Sequence, residues 1–171
     1  MVLGLLVASL EQTSAISTAA NPELDKSMTR TVLQRVHPNQ IPPGESKQLQ
    51  FNSTELSAIA NTLLKRLGNV QSAFQLSDNQ MDFTLSVELP LIDSWRYLNV
   101  HGVVAKQNDQ PALTTLQLGS LNIPTTLVNW VSEPLIKIAQ RRFEYQLATL
   151  VIEHWSIDPQ HLSFQVRWRT D

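Results

Sequence analysis

The sequence predicts an α+β domain: a curved antiparallel sheet of four to five strands with two main helices packed on its apolar face, preceded by an N-terminal helical stalk. Three observations predict it. Met81, Phe83, Leu85, Val87 and Leu89 alternate strictly with Asp82, Thr84, Ser86 and Glu88, the period of a strand with one greasy and one wet face. Two other stretches, 52–68 and 124–151, repeat apolar residues every three or four positions, as amphipathic helices require. The order of these patterns separates helix from sheet instead of alternating them, which favours antiparallel α+β over a parallel doubly wound fold.

Composition limits what such a domain does. With 171 residues and 42% apolar content the chain is long enough for one respectable core. A formal charge of -2, with no basic cluster larger than the Arg141-Arg142 pair, argues against the phosphate-neutralising surface that nucleic-acid binding needs. The absence of cysteine removes disulfides, thiolate zinc sites and thiol nucleophiles and leaves the compartment open.

Compartment is read from the N-terminus, "MVLGLLVASLEQTSAISTAANPELDK". Its apolar run, Met1 to Leu10, falls well short of the roughly 18 to 20 residues that span a bilayer as a helix. Residues 11 to 25 carry Glu11, Glu23 and Asp25 with no basic residue before Lys26, which suits a translocated flank. The expectation is an anchor remnant whose start lies upstream, with the domain outside the cytoplasmic membrane. A signal-peptide core cut near "SAISTAA" and an amphipathic N-terminal helix are the competing readings.

Leu24, Met28, Val32 and Val36 then recur every fourth residue and predict a helical stalk, so residues 1–37 form an anchor remnant and stalk. Residues 38–44 are a linker, because Pro38, Pro42 and Pro43 remove amide donors and Gly44 adds freedom. Residues 45–171 are the single domain. Its first helix starts at Asn52 with a capping box to Glu55, ends near Gly68, and places Leu56, Ile59, Ala60, Leu63, Leu64 and Leu67 on one face. "SDNQ" at 77–80 is hairpin chemistry, and "WRYLNVHGVVAK" with "ALTTLQLGSLNIP" extends the meander. Gly102 marks a bulge or a close approach, and His101 sits on the solvated face. A long helix runs from Pro124 through Leu150 and Val151 with a break at Pro134, and Leu162, Phe164, Val166 and Trp168 form a last strand returning to the sheet.

Chemistry is sparse. Glu153, His154, Asp158 and His161 are the only close set of metal-competent side chains, and the seven-residue separation of the two histidines across a proline turn lacks the helical spacing that converges on one ion. No nucleophile elbow occurs, and the five glycines are scattered singly, without a phosphate loop or dinucleotide fingerprint. No catalytic residue, metal site or cofactor is assigned, and the reading is noncatalytic.

What stands out is "LQLGSLNIPTTLVNWVSEPLIKI". In its helical part Val128, Val131 and Leu135 already supply one core face, so Leu127, Trp130 and Ile138 widen the apolar arc. The structural reading is a helix sandwiched in the core. The functional reading is a greasy lip between sheet and helix for an acyl chain, with Leu127, Trp130, Val131 and Ile138 nearest the opening and Arg141 and Arg142 meeting an anionic head group. The alternative is a protein-interaction module that docks an envelope partner, or a second copy, through the patch around Trp130.

The order of parts, with "LQFNSTELSAIANTLL", "LPLIDSWRYLNV" and "LQLGSLNIPTTLV", resembles the YpmS-like family of bacterial single-pass membrane proteins over residues 45 to about 168. The resemblance implies a cell-envelope location, anchored in the inner membrane with the domain outside the cytoplasm. It implies no activity and supplies no catalytic residues. The combined expectation is a membrane-tethered extracytoplasmic domain that binds an apolar small molecule or lipid between sheet and helix.

Overall fold

The computed structural model of the chain describes residues 10–11, 13–16, 22–36, 42, 44–65, 69–89, 97–107, 109–124, 126–127 and 150–168. Among them the architecture is α+β, with helices α1 (Pro22–Val36) and α2 (Ser53–Leu64) and two antiparallel sheets that do not close. The larger sheet is a meander in sequence order: β3 (Val70–Ser77), β4 (Gln80–Glu88), β5 (Tyr97–Gln107), β6 (Gln110–Leu118) and β7 (Leu121–Ile123). A two-residue strand, β1 (Leu10–Glu11), adds to β5 beyond the end of β6. The smaller sheet has the order β2 (Ser46–Phe51), β9 (Leu162–Trp168), β8 (Leu150–Ile157).

The second sheet corrects the single-sheet expectation. Leu162, Phe164 and Val166 do alternate inward, but they oppose Phe51, Leu49 and Lys47 on one side and Ile157, Trp155 and Ile152 on the other, not the meander. Leu150 and Val151, which continue the helical spacing, begin β8 instead. β-branched and aromatic residues fill "LVIEHWSI", and they pack well on a pleated surface. β8 takes one extra residue at Glu153, and its carboxylate pairs with Arg167 at 2.6 Å and accepts from Ser46 Oγ at 2.8 Å.

α2 begins as the sequence predicts. The Asn52 side chain accepts from the Glu55 amide at 2.9 Å, and Glu55 Oε2 accepts from the Asn52 amide at 3.1 Å. Gly68 lies outside the described residues. The helix face differs from expectation, because Ala58 is the buried residue while Leu63 is 62% exposed. α1 is the reason: Thr29 Oγ1 donates to Ala58 O at 3.1 Å and lies 3.0 Å from Thr62 Oγ1, so the two helices meet through small residues.

On its other side α2 covers the free edge of β3. Asn61 Oδ1 accepts from both the amide and the hydroxyl of Ser72, each at 2.7 Å, and Asn61 Nδ2 donates to Asp25 at 3.0 Å. One side chain therefore ties α1 to α2 and satisfies an edge amide that would otherwise invite another strand.

Among the described residues the core has two linked parts. Val32, Leu49, Phe51 and Val166 form one, and Leu76, Ile157 and Leu162 the other, with Leu56 and Phe164 packed against both. Val32, read from the sequence as a stalk residue, is 2% exposed inside the first part, so α1 packs against the domain instead of standing away from it. Before β2, Glu45 N donates to Pro42 O at 3.1 Å in a turn where Gly44 adopts φ +82°, a conformation that glycine tolerates without a Cβ penalty. The β3–β4 hairpin turns at Asp78-Asn79, with Asn79 at φ +58°.

Candidate functional site

The registers stack the side chains of the meander into rows, and one face of those rows is apolar. Leu76, Met81, Val104 and Leu113 form one row, and Phe74, Phe83, Gly102, Leu116 and Ile123 the next. Leu85, Val100, Leu118 and Leu121 continue from Ser72, and Val70, Val87 and Leu98 complete the set. Only Ser72 is polar, and α2 consumes it. Strand spacing and rise make this face about 20 Å in each direction.

Its cover is partial. α2 lies over the β3 side, and Leu76 and Met81 join the second core cluster. From Phe83 and Leu85 across to Leu121 and Ile123, the apolar side chains of β4 to β7 on this face are half-buried and belong to neither core cluster. None of these side chains is fully exposed, and what they leave accessible is contiguous across neighbouring strands instead of scattered singly.

Gly102 shapes the middle of the face. The Phe83 ring crosses from β4 and lies over Gly102, where a Cβ would fall inside van der Waals distance of its Cζ. The same ring is tilted against Phe74 at 6.5 Å between centroids. The close approach at Gly102 is thus made by a neighbouring ring. The bulge lies beside it, at Thr114 of β6, whose hydroxyl donates to Val103 O at 3.1 Å. Gly102→Ala is expected to push the ring off β5 and to cost about 1–2 kcal/mol, measured by urea denaturation. A neutral result would show that the ring does not rest there.

The opposite face is polar and, against expectation, partly covered. Gln71, Ser86 and Asn99 are direct neighbours across β3, β4 and β5. Residues 11 and 13–16 lie over them. The Ala15 amide donates to both Ser86 Oγ and Asn99 Oδ1 at 3.0 Å, and Asn99 Nδ2 donates to Thr13 O at 3.0 Å and to Glu11. Ser86 Oγ donates to Asn99 Oδ1, and Ser14 Oγ to Gln71 Oε1 at 3.2 Å. Ser86 is 1% and Asn99 5% exposed. Burial at that level is tolerated only with such partners. His101, farther along, is half-buried with Nδ1 3.3 Å from Thr84 Oγ1.

Of the residues singled out in the sequence, Leu127 follows the β7 edge and is 50% exposed, its amide bonded to Pro124 O at 2.9 Å. Trp130, Val131, Ile138, Arg141 and Arg142 lie outside the described residues. The structure adds Phe83, Val100, Leu116, Leu118 and Leu121. Their alternation was visible in the sequence, but their assembly into one apolar face depends on strand order and register.

The acidic and histidine cluster does not converge. Glu153 is spent on Arg167 and Ser46, while Asp158 Oδ1 accepts from the amides of Gln160 and His161 at 2.8 Å, closing a turn at the other end of β8. Those two amide bonds hold the Asp158 carboxyl below the ordinary 3.8. Because the folded value is depressed, the turn's contribution is present above the unfolded value and lost as pH falls through the folded one. An NMR titration of Asp158 should show a midpoint below 3.8. A midpoint at or above it would mean the turn is open in solution. Among the described residues no group of three metal-competent side chains comes together, and no helix is long and apolar enough to cross a membrane.

Comparison with known proteins gives no family model that matches the chain, and no curated protein or solved structure that matches it.

Proposed function

We propose that this is a noncatalytic domain that binds an apolar ligand of the acyl-chain class on the apolar face of the meander. In this proposal it works in the bacterial cell envelope, tethered through its apolar N-terminus. The observation that carries the reading is the half-buried apolar expanse from Phe83 to Ile123, in rows that run unbroken across four strands. A surface of that kind recognises length and greasiness, not functional groups. Each methylene taken from water is worth about 0.8 kcal/mol, so affinity should rise about fourfold per added carbon until the face is filled.

A fluorescent polyunsaturated fatty acid such as parinaric acid, titrated into the full chain, tests this. Leu116→Asp sets a carboxylate between Gly102 and Ile123 and should weaken binding at least about tenfold, because the charge is desolvated when the ligand seats. Gln117→Asp, one residue along on the polar face beside His101 and Asn122, should leave it unchanged. Equal affinity in both variants, or no dependence on chain length, sinks the reading. An absence of uptake together with self-association abolished by Leu116→Asp would favour the interaction module instead.

A further inference from the structure

We propose that the polar side of the meander carries a second site, which takes an extended peptide segment of a partner protein, and that residues 10, 11 and 13–16 fill it in cis. It is built on the face opposite the apolar rows and does not rest on the ligand reading above.

The site begins at a strand end. β6 pairs with β5 only from Gln107 back to Val100, and Gly119 N donates to Asn99 O at 2.7 Å where β6 leaves. Tyr97 and Leu98 lie beyond that point, and Leu10 and Glu11 pair with them as a short antiparallel strand. A strand end that outruns its neighbour offers unpaired main-chain groups, the receptor for an added strand.

From there the segment crosses the polar face over Asn99 of β5, Ser86 of β4 and Gln71 of β3. Asn99 makes most of the contacts. Its Nδ2 donates to Thr13 O and its Oδ1 accepts from the Ala15 amide, both at 3.0 Å, so one carboxamide pairs with a carbonyl and an amide two residues apart. Such pairing reads main chain instead of sequence, and Thr13 and Ala15 are themselves exposed. Selectivity comes from two side chains: the Glu11 carboxylate accepts from Asn99 Nδ2, and Ser14 Oγ donates to Gln71 Oε1 at 3.2 Å. The partner that fits is an extended segment with a carboxylate two residues before the paired carbonyl and a hydroxyl one residue after it.

The cis segment is suited to exchange. None of its described residues belongs to either core cluster. What it covers is hydroxyl and carboxamide, which water satisfies once the segment lifts, so release opens no apolar core and leaves no buried polar group without a partner.

A fluorescent peptide of sequence LEQTSAI, residues 10–16 with blocked ends, tests this by anisotropy against the full chain. Two variants of the chain loosen the cis segment. Ala15→Pro deletes the amide that Asn99 and Ser86 bind, and Glu11→Lys sets an ammonium against the Asn99 amide donor. Both should bind the peptide at least about tenfold more tightly than the unaltered chain, whose own segment competes at an effective concentration on the order of mM. Placing Glu11→Lys in the peptide instead, a change that cannot affect folding, should weaken its binding to the Ala15→Pro chain by a similar factor. No binding to either variant, equal binding to the unaltered chain, or indifference to the charge in the peptide overturns the proposal. Self-association of the unaltered chain that the peptide disperses overturns it as well, because it would assign the site to a second copy.

Discussion

Phe51→Ala is expected to cost the fold about 3–5 kcal/mol, the range for truncating a buried phenylalanine. Phe51 packs edge-on against Phe164 at 6.0 Å and shares its cluster with Val32, Leu49 and Val166, so alanine opens a cavity where α1 and the smaller sheet meet. The loss also reaches Arg35. Its guanidinium lies 5.5 Å from the Phe51 ring, donates to Gln50 O at 2.8 Å and pairs with Glu55 at 3.1 Å. Urea denaturation measures the loss, and hydrogen exchange should show α1 losing protection first. A cost under about 1 kcal/mol would mean that α1 does not complete this core.

Asn99→Ala is expected to cost about 2–3 kcal/mol, because it strands buried partners in addition to deleting contacts. The substitution removes the acceptor for the Ala15 amide and Ser86 Oγ and the donor to Glu11 and Thr13 O. Ser86, 1% exposed, then keeps only the Ala15 amide. The Ala15 amide should exchange faster and residues 11–16 should become the first site of limited proteolysis, with α2 and β9 unchanged. Asn99→Asp retains the acceptor and sets a second carboxylate beside Glu11, so it should release the segment as well. Unaltered protection at Ala15 in both variants would show that Asn99 does not hold Glu11, Thr13 and Ala15 on the sheet.

The parts legible in the sequence are those set by local chemistry. The Asn52/Glu55 box, the Asn79 turn and the alternation of β4 each follow from a few adjacent residues, and each is in the structure. What escaped depends on partners distant in the chain. Leu162 to Trp168 reads as a strand, yet nothing near it says that it pairs with Ser46 to Phe51, more than a hundred residues earlier. Val32 and Leu24 look equivalent on α1, and only the position of α2 and the smaller sheet buries one and leaves the other 53% exposed. Asn99 reads as one more polar residue on a wet face until Ala15 and Glu11 are placed over it. The candidate site was half legible: Leu127 marks its edge, while the face itself is the sum of four registers that no single stretch contains.

The most direct test is native mass spectrometry of the full chain purified from envelopes without detergent, followed by organic extraction. The expected result is a discrete adduct of lipid mass, lost in Leu116→Asp and kept in Gln117→Asp. An apo mass with nothing extractable, from protein shown to be folded, would contradict an apolar-ligand function for the meander.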